Sequence, residues 1–260
     1  MKKFLLVFSI FISALFVANT TSAQGLRIGA NGLEYGDYTP KKDSGKTTTF
    51  HYAAGPRNGA FYIGSKTLIP TVEVGWNMLA DQSYGAYNGT EYGEFFNIHN
   101  WKSTQVTVNL LGASVHTRNK KFGVDVALGI RANNYRLDSD MTLGRGALVH
   151  PLAIEQSVKK SKFNTAALHI PIEAWIGRAG RFAFSMGGYV DMVMNSHTKI
   201  KYTGGKKDKV HNFPVNFIQA GVTARVSMFG ISVYGQYTPT QLFKAGRGPE
   251  MSQWTIGIGF

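Results

Sequence analysis

The chain contains no cysteine, which removes disulfide scaffolds, thiolate metal sites and thiol redox chemistry from consideration. That absence suits an oxidising compartment, where a stray thiol is a liability. Charged residues make up only 17% of the sequence, and acidic ones are the scarcer sign, 15 against 28 lysines and arginines. Past the first two dozen residues there is no long apolar run, which excludes a helical membrane protein. Also missing are a Gly-x-Ser-x-Gly elbow, a His-Glu-x-x-His pair and a phosphate-binding Gly-rich loop. The expectation is therefore a protein that is not an enzyme, with no cofactor; with histidines only scattered, no structural metal site is expected either.

The first residues read as a secretory signal peptide spanning 1–23. Lys2 and Lys3 form a charged start, Phe4 to Val17 an apolar run broken by two serines, and Thr21-Ser22-Ala23 the small residues of a cleavage site before Gln24. The run is shorter than the roughly 20 residues of a spanning helix. No cysteine follows Ala23 to carry a lipid. The net charge of +13, less the two signal lysines, then meets anionic glycolipid or polysaccharide outside the cytoplasm rather than nucleic acid.

What the sequence has in quantity is glycine and aromatics: 30 Gly, 17 Phe, 12 Tyr and 4 Trp beside only 8 Pro, a mixture that suits sheets with tight turns. From Leu68 onwards apolar residues recur at every second position, the period of a strand with one apolar face. The sets are Val72 to Met78; Val106 to Leu110; Phe122 to Ile130; Leu168 to Ile176; Phe182 to Met194; Ile218 to Met228; Ile231 to Tyr237; and Trp254 to Phe260. Short connections (Arg118 to Lys121, Gly177 to Gly180, Phe229-Gly230) alternate with longer ones, about Asp81 to Asn100, Asp138 to Ser161, Thr203 to Asn212 and Lys244 to Glu250. The opposite parity carries Glu73, Gln105, Thr107, Asn109, Asp125, Arg131, Asn133, His169, Glu173, Asp191, Gln219, Thr223 and Arg225. Trp76, Trp101, Tyr135, Trp175, Tyr202, Tyr237 and Trp254 sit near segment ends, as interfacial girdles would. The pattern predicts an all-β, eight-stranded antiparallel up-and-down transmembrane β-barrel over 68–260, with short periplasmic turns and longer extracellular loops, in the cell outer membrane. Residues 24–67 read as a partly flexible periplasmic leader, with short strand character at Leu26 to Ala30 and Ala60 to Ile63.

Three groups of residues are candidates for function. Trp254, Ile256, Ile258 and Phe260 form a closing strand of the kind read by the barrel-assembly machinery. Glu73, Asp125, Arg131, Glu173, Asp191 and Arg225 are expected to pair as a polar plug, since an eight-stranded interior is just wide enough for side chains to fill. Lys199, Lys201, Lys206, Lys207 and Lys209 form a basic loop patch suited to the phosphates of outer-membrane lipid and lipopolysaccharide. The alternative readings are a narrow pore, or a lipid-modifying acyltransferase or esterase in which His169 and His197 meet Ser185 and Asp191.

Several local runs go further than periodicity. Ser161-Lys162-Phe163 leads into Leu168-His169-Ile170-Pro171-Ile172-Glu173, and Ser196-His197-Thr198-Lys199 follows the fifth strand. Tyr237-Thr238-Pro239-Thr240-Gln241-Leu242-Phe243 runs into Lys244-Ala245-Gly246-Arg247-Gly248-Pro249-Glu250 and the final Thr255-Ile256-Gly257-Ile258-Gly259-Phe260. Over roughly Leu68 to Phe260 this resembles the PorT-like outer membrane β-barrel proteins of the Bacteroidetes. The resemblance implies an eight-stranded barrel without a catalytic motif, and an accessory role in secretion or envelope assembly.

Overall fold

A computed structural model describes residues 24–29, 32–37, 61–64, 67–117, 119–137, 141–178 and 181–260. The expected signal peptide, the basic stretch Pro40 to Thr49, and Arg118, Ala179 and Gly180 of the short turns lie outside the described residues. The chain divides into two units, one of 1–50 with 54–59 and one of 51–53 with 60–260. In the first, Gln24–Gly29 pairs antiparallel with Gly32–Asp37.

The second unit is an eight-stranded antiparallel barrel. Its strands are β1 (Val72–Ser83), β2 (Thr104–Thr117), β3 (Phe122–Arg136), β4 (Val158–Arg178), β5 (Phe182–Tyr202), β6 (Ile218–Met228), β7 (Ile231–Thr238) and β8 (Glu250–Gly259). Each pairs with its sequence neighbours, and β8 pairs back onto β1 from Glu250↔Ser83 to Gly259↔Glu73, closing the ring. Closure removes the exposed edges that would otherwise template aggregation. One gap remains where β1 stops pairing with β2 at Val72↔Val108, and Phe61–Gly64 fills it by pairing with β2 from Phe61↔Thr117 to Gly64↔Ser114.

At one end the connections are tight. Met228 and Ile231 are joined by Phe229 and Gly230 with φ of 51° and 87°, the all-positive pattern of a primed hairpin turn whose twist matches the flanking strands. The other end is built up. β4 and β5 are 21 residues each and run on past the rest of the ring, and Lys207–His211 pairs with the β5 extension once β6 has ended at Met192↔Ile218. The strands are longer here than apolar alternation indicates, because backbone pairing continues where the outer face has become polar and carries lysines.

Burial is inverted relative to a soluble barrel. The polar parity points inward and is buried, while Ile172, Ile176, Met186, Val222, Val233 and Ile256 on the outer face are all more than half exposed. The apolar core sits instead at the long-loop end. There Phe96, Phe163, Phe213 and Phe243 from different connections and strands pack at ring-centroid separations of 5.4 to 6.0 Å.

Two of the expected girdle aromatics face inward. Trp175 and Tyr135 are 3% and 0% exposed, because each has an interior hydrogen-bond acceptor: the Trp175 indole N–H donates to Asp125 at 2.9 Å, and the Tyr135 hydroxyl to Gln253. Gly123 makes room for the indole, since a Cβ there would lie 2.6 Å from the ring. Trp76, Trp101 and Trp254 do face outward, Trp101 packing edge-on against Trp76 and Tyr237 stacking on Trp254.

Candidate functional site

The polar interior is layered. Nearest the short turns, Arg225 is 1% exposed and spends its donors on two carboxylates. Its Nη2 lies 2.6 Å from Glu73 Oε1 and 3.0 Å from Glu173 Oε1, and its Nε donates to Glu173 Oε2 at 3.1 Å. Nη1 donates to Ser232 at 3.2 Å, Ser185 donates to Glu173 at 2.6 Å, and the guanidinium carbon stands 5.1 Å from the centre of the Tyr234 ring.

A second cation occupies the middle. Arg131 Nη1 meets Asp191 Oδ2 at 2.8 Å, its Nε donates to Thr107 at 3.1 Å, and its Nη2 donates to His169 Nε2 at 2.9 Å. An arginine can only donate, so His169 Nε2 must accept and the ring proton sits on Nδ1, which donates to Asp191 Oδ1 at 2.6 Å. His169 is thus held neutral by geometry. Above this layer lies a network of neutral groups. Gln253 Nε2 and Thr255 donate to Asn77, Gln105 donates to Gln236, and Asn77 donates to Asn133.

All six residues of the expected plug are therefore interior and buried: Glu73 0%, Asp125 0%, Arg131 1%, Glu173 1%, Asp191 3% and Arg225 1% exposed. They form separate groups rather than one chain. Asp125 joins neither arginine; it accepts from Trp175 and from the backbone N–H of Leu68. An isolated ion in such a place costs several kcal/mol, so each charge is matched by a counter-charge or by N–H donors.

Chain segments turn in at both ends. Thr67 to Thr71 crosses the short-turn end, with Ile69 buried and Leu68 anchored to Asp125. The long-loop end is closed by the aromatic core, in which Tyr87 donates to the Val149 carbonyl and burial pushes its phenol up to about 12.

The basic patch is more ordered than a loop. Lys199 faces Lys162 on one side and Lys209 on the other, and Lys201 faces Lys160 and Lys207 in the same way. Period two puts Lys199 and Lys201 on one face, so six lysines form two rows across three strands, with Lys206 in the adjoining turn. Directly opposed like charges are unfavourable in a sheet. Burial, with Lys160, Arg136 and Lys199 nearby, holds the Lys162 amine below the ordinary lysine range. Lys160 and Lys162, which the sequence places beside a different long loop, join the expected patch through their register with β5.

The closing-strand residues Trp254, Ile256, Ile258 and Phe260 are 46, 52, 39 and 55% exposed on the outer face. Backbone groups of Phe260 and Val72 exchange two bonds of 2.9 Å. The candidate esterase-type group does not assemble. His169 meets Asp191, but Ser185 is turned to Glu173, and His197 stands against Asn164 and His211.

No protein-family model matches the chain and no curated protein matches it, so the likeness to PorT-like barrel proteins stands on the quoted residues alone.

Proposed function

We propose that the chain is an integral outer-membrane β-barrel protein, closed to ions, whose long-loop end faces the exterior and contacts anionic glycolipid. The observation that carries this is the inverted burial. A soluble monomer rarely exposes an apolar patch beyond a few hundred Å², whereas here every strand of the ring turns apolar side chains outward and encloses ion pairs. β6 and β8, at 11 and 10 residues, match the roughly 9–11 residues of a tilted spanning strand. Short turns belong on the periplasmic side of such barrels and long loops outside. The outward row ending in Phe260 suits recognition by the assembly machinery, which would add β8 to β1 last.

The lysine rows lie on the outer face of the β4–β5 extension, beyond the last outward apolar residue of β5, Met194. In a bilayer that is headgroup level, where the phosphates of a lipopolysaccharide would relieve their mutual repulsion. The paired, buried charges of the interior and the aromatic core across the long-loop end support a structural or recognition role over a pore. The likeness to PorT-like proteins adds an accessory part in secretion or envelope assembly to the same reading.

Tryptophan position tests the membrane placement. Single-tryptophan variants retaining Trp76, Trp101, Trp175 or Trp254, each reconstituted in vesicles of brominated-chain lipid, should show quenching for the outward Trp76 and Trp254 and none for the buried Trp175. Equal quenching of all four, or none at any site, would sink the placement.

A further inference from the structure

We propose that the long-loop end holds a phosphate-binding recess formed by Arg145, Lys244 and Arg247, and that its ligand is a phosphorylated saccharide. The recess has a volume of about 400 Å³ and is walled by the β3–β4, β5–β6 and β7–β8 connections. That volume exceeds a bare phosphate and falls within the roughly 300–1,000 Å³ of small-molecule sites. Its lining contains three cations and no carboxylate.

Two of the three cations are anchored through their side chains. Arg145 Nη1 donates to the His211 carbonyl at 3.1 Å and Arg247 Nη2 to the Gly146 carbonyl at 3.3 Å. Each bond orients a guanidinium and leaves most of its five donors for a ligand. The backbone ties the walls together: Lys244 N donates to Pro214 O at 2.8 Å, Arg247 N to Lys244 O at 3.0 Å, and Val149 N to Arg247 O at 2.9 Å. Gly246, at φ 66°, permits the tight turn that brings Lys244 and Arg247 onto the same side. Such bracing is what a preorganised site needs, because little ordering remains to be done on binding.

The charge selects the ligand. Three converging cations without an internal counter-ion favour an anion of more than one charge. A phosphate monoester carries about −1.5 to −2 and three acceptor oxygens, matching two planar forks and one ammonium. A carboxylate offers one charge and two oxygens. The rest of the lining is Gly146, Asn212, Phe213 and Pro214, a mixed polar and apolar wall of the kind a sugar ring takes. The lysine-bearing strand Lys207–His211 leads directly into Asn212, so the basic surface would raise the arrival rate of anions at the recess.

The saccharide source rests on the reading of this end as exterior, while the phosphate chemistry does not. The test is isothermal titration of the full chain in detergent micelles with inorganic phosphate, glucose 6-phosphate and glucuronate. Glucose 6-phosphate should bind most tightly and glucuronate roughly tenfold more weakly. The Arg145→Gln/Arg247→Gln variant should lose at least tenfold in glucose 6-phosphate affinity while keeping the heat-dependent gel shift of a folded barrel. Lys121→Gln, on a short turn at the opposite end, should bind as the wild type does. Repeating the titration in nanodiscs with and without lipid A separates the sources. Competition identifies a lipid headgroup, and unchanged affinity a free saccharide. No binding of either phosphate to a folded barrel, or equal affinity in the double variant, overturns the proposal. A chain that folds in buffer without detergent would instead defeat the membrane reading and leave the titration readable.

Discussion

Removing the guanidinium of Arg225 should destabilise the barrel far more than removing the whole ionic group. In the native interior this one side chain links Glu73 on β1 to Glu173 on β4, at 2.6 and 3.0 Å from the same Nη2. Arg225→Met leaves two carboxylates facing each other without a cation, and both are 1% exposed or less. Breaking a buried pair from one side costs about 3–5 kcal/mol, because the stranded charge keeps its desolvation penalty and loses its partner. Here two charges are stranded, so the upper part of that range applies. Combining Arg225→Met with Glu73→Gln and Glu173→Gln removes all three charges. Ser185 can still donate to a glutamine oxygen in place of Glu173 Oε2. That triple variant should lie within about 1–2 kcal/mol of wild type, since neutral replacement of a buried ion cluster is often neutral or better.

Urea titration of micelle-refolded protein reads both, with tryptophan emission and gel mobility as independent signals. For a urea slope of about 2 kcal/mol per molar, a 4 kcal/mol loss moves the midpoint down by about 2 M. Should Arg225→Met fail to fold, the triple variant remains the informative arm. A single variant that loses less than about 1 kcal/mol would refute the reasoning, as would a triple variant no better than the single one.

The strand count and the inside–outside assignment were legible because both rest on parity, which a barrel enforces along every strand. Trp175 and Tyr135 depart from the girdle expected of residues near strand ends, and parity accounts for both. Trp175 shares parity with Glu173, and Tyr135 with Arg131 and Asn133, so alternation alone places both inside. Their nearness to strand ends suggested a girdle instead, yet interior acceptors at Asp125 and Gln253 hold them. Which charges pair was not legible. Parity supplies the interior set, but the stagger between strands decides that Arg225 reaches Glu73 and Glu173 while Arg131 reaches Asp191 and His169. The aromatic closure was hidden for another reason. Phe95, Phe96, Phe213 and Phe243 lie in connections without periodicity, and only their convergence in space identifies them as a core. The lysine rows fall between these cases. Lys199 and Lys201 are visible in sequence, but their alignment with Lys160, Lys162, Lys207 and Lys209 depends on register across three strands.

Two further expectations concern the long-loop end. Replacing Lys199, Lys201, Lys207 and Lys209 together by glutamine should weaken retention on lipopolysaccharide vesicles a hundred- to a thousandfold at low salt, at about 1 kcal/mol per lysine near an anionic surface; co-sedimentation unchanged from wild type would leave the rows without a glycolipid role. Acid should loosen the hairpin that carries them. His197 lies beyond Met194, outside the apolar belt, and stacks on His211 at 5.1 Å between ring centres. Burial lowers its pKa, and the neighbouring charges of His211, Lys209 and Lys199 lower it further. On the β4 side it faces Asn164, which approaches Nε2 at 3.4 Å, next to the half-buried Lys162. An unfolded histidine protonates near pH 6.5. The folded imidazole resists protonation to a lower pH, so the open hairpin binds more protons in that window. The hairpin is therefore fully stable above about pH 6.5 and loses stability as the pH falls below it. Amide-exchange protection of Lys207–His211, corrected for intrinsic rates, should drop between about pH 7.5 and pH 5.5. His197→Gln should flatten that drop, because the variant has no proton to take up at that site. Protection that stays level in wild type, or that falls equally in His197→Gln, would show that the stacked pair does not set the hairpin's response to acid.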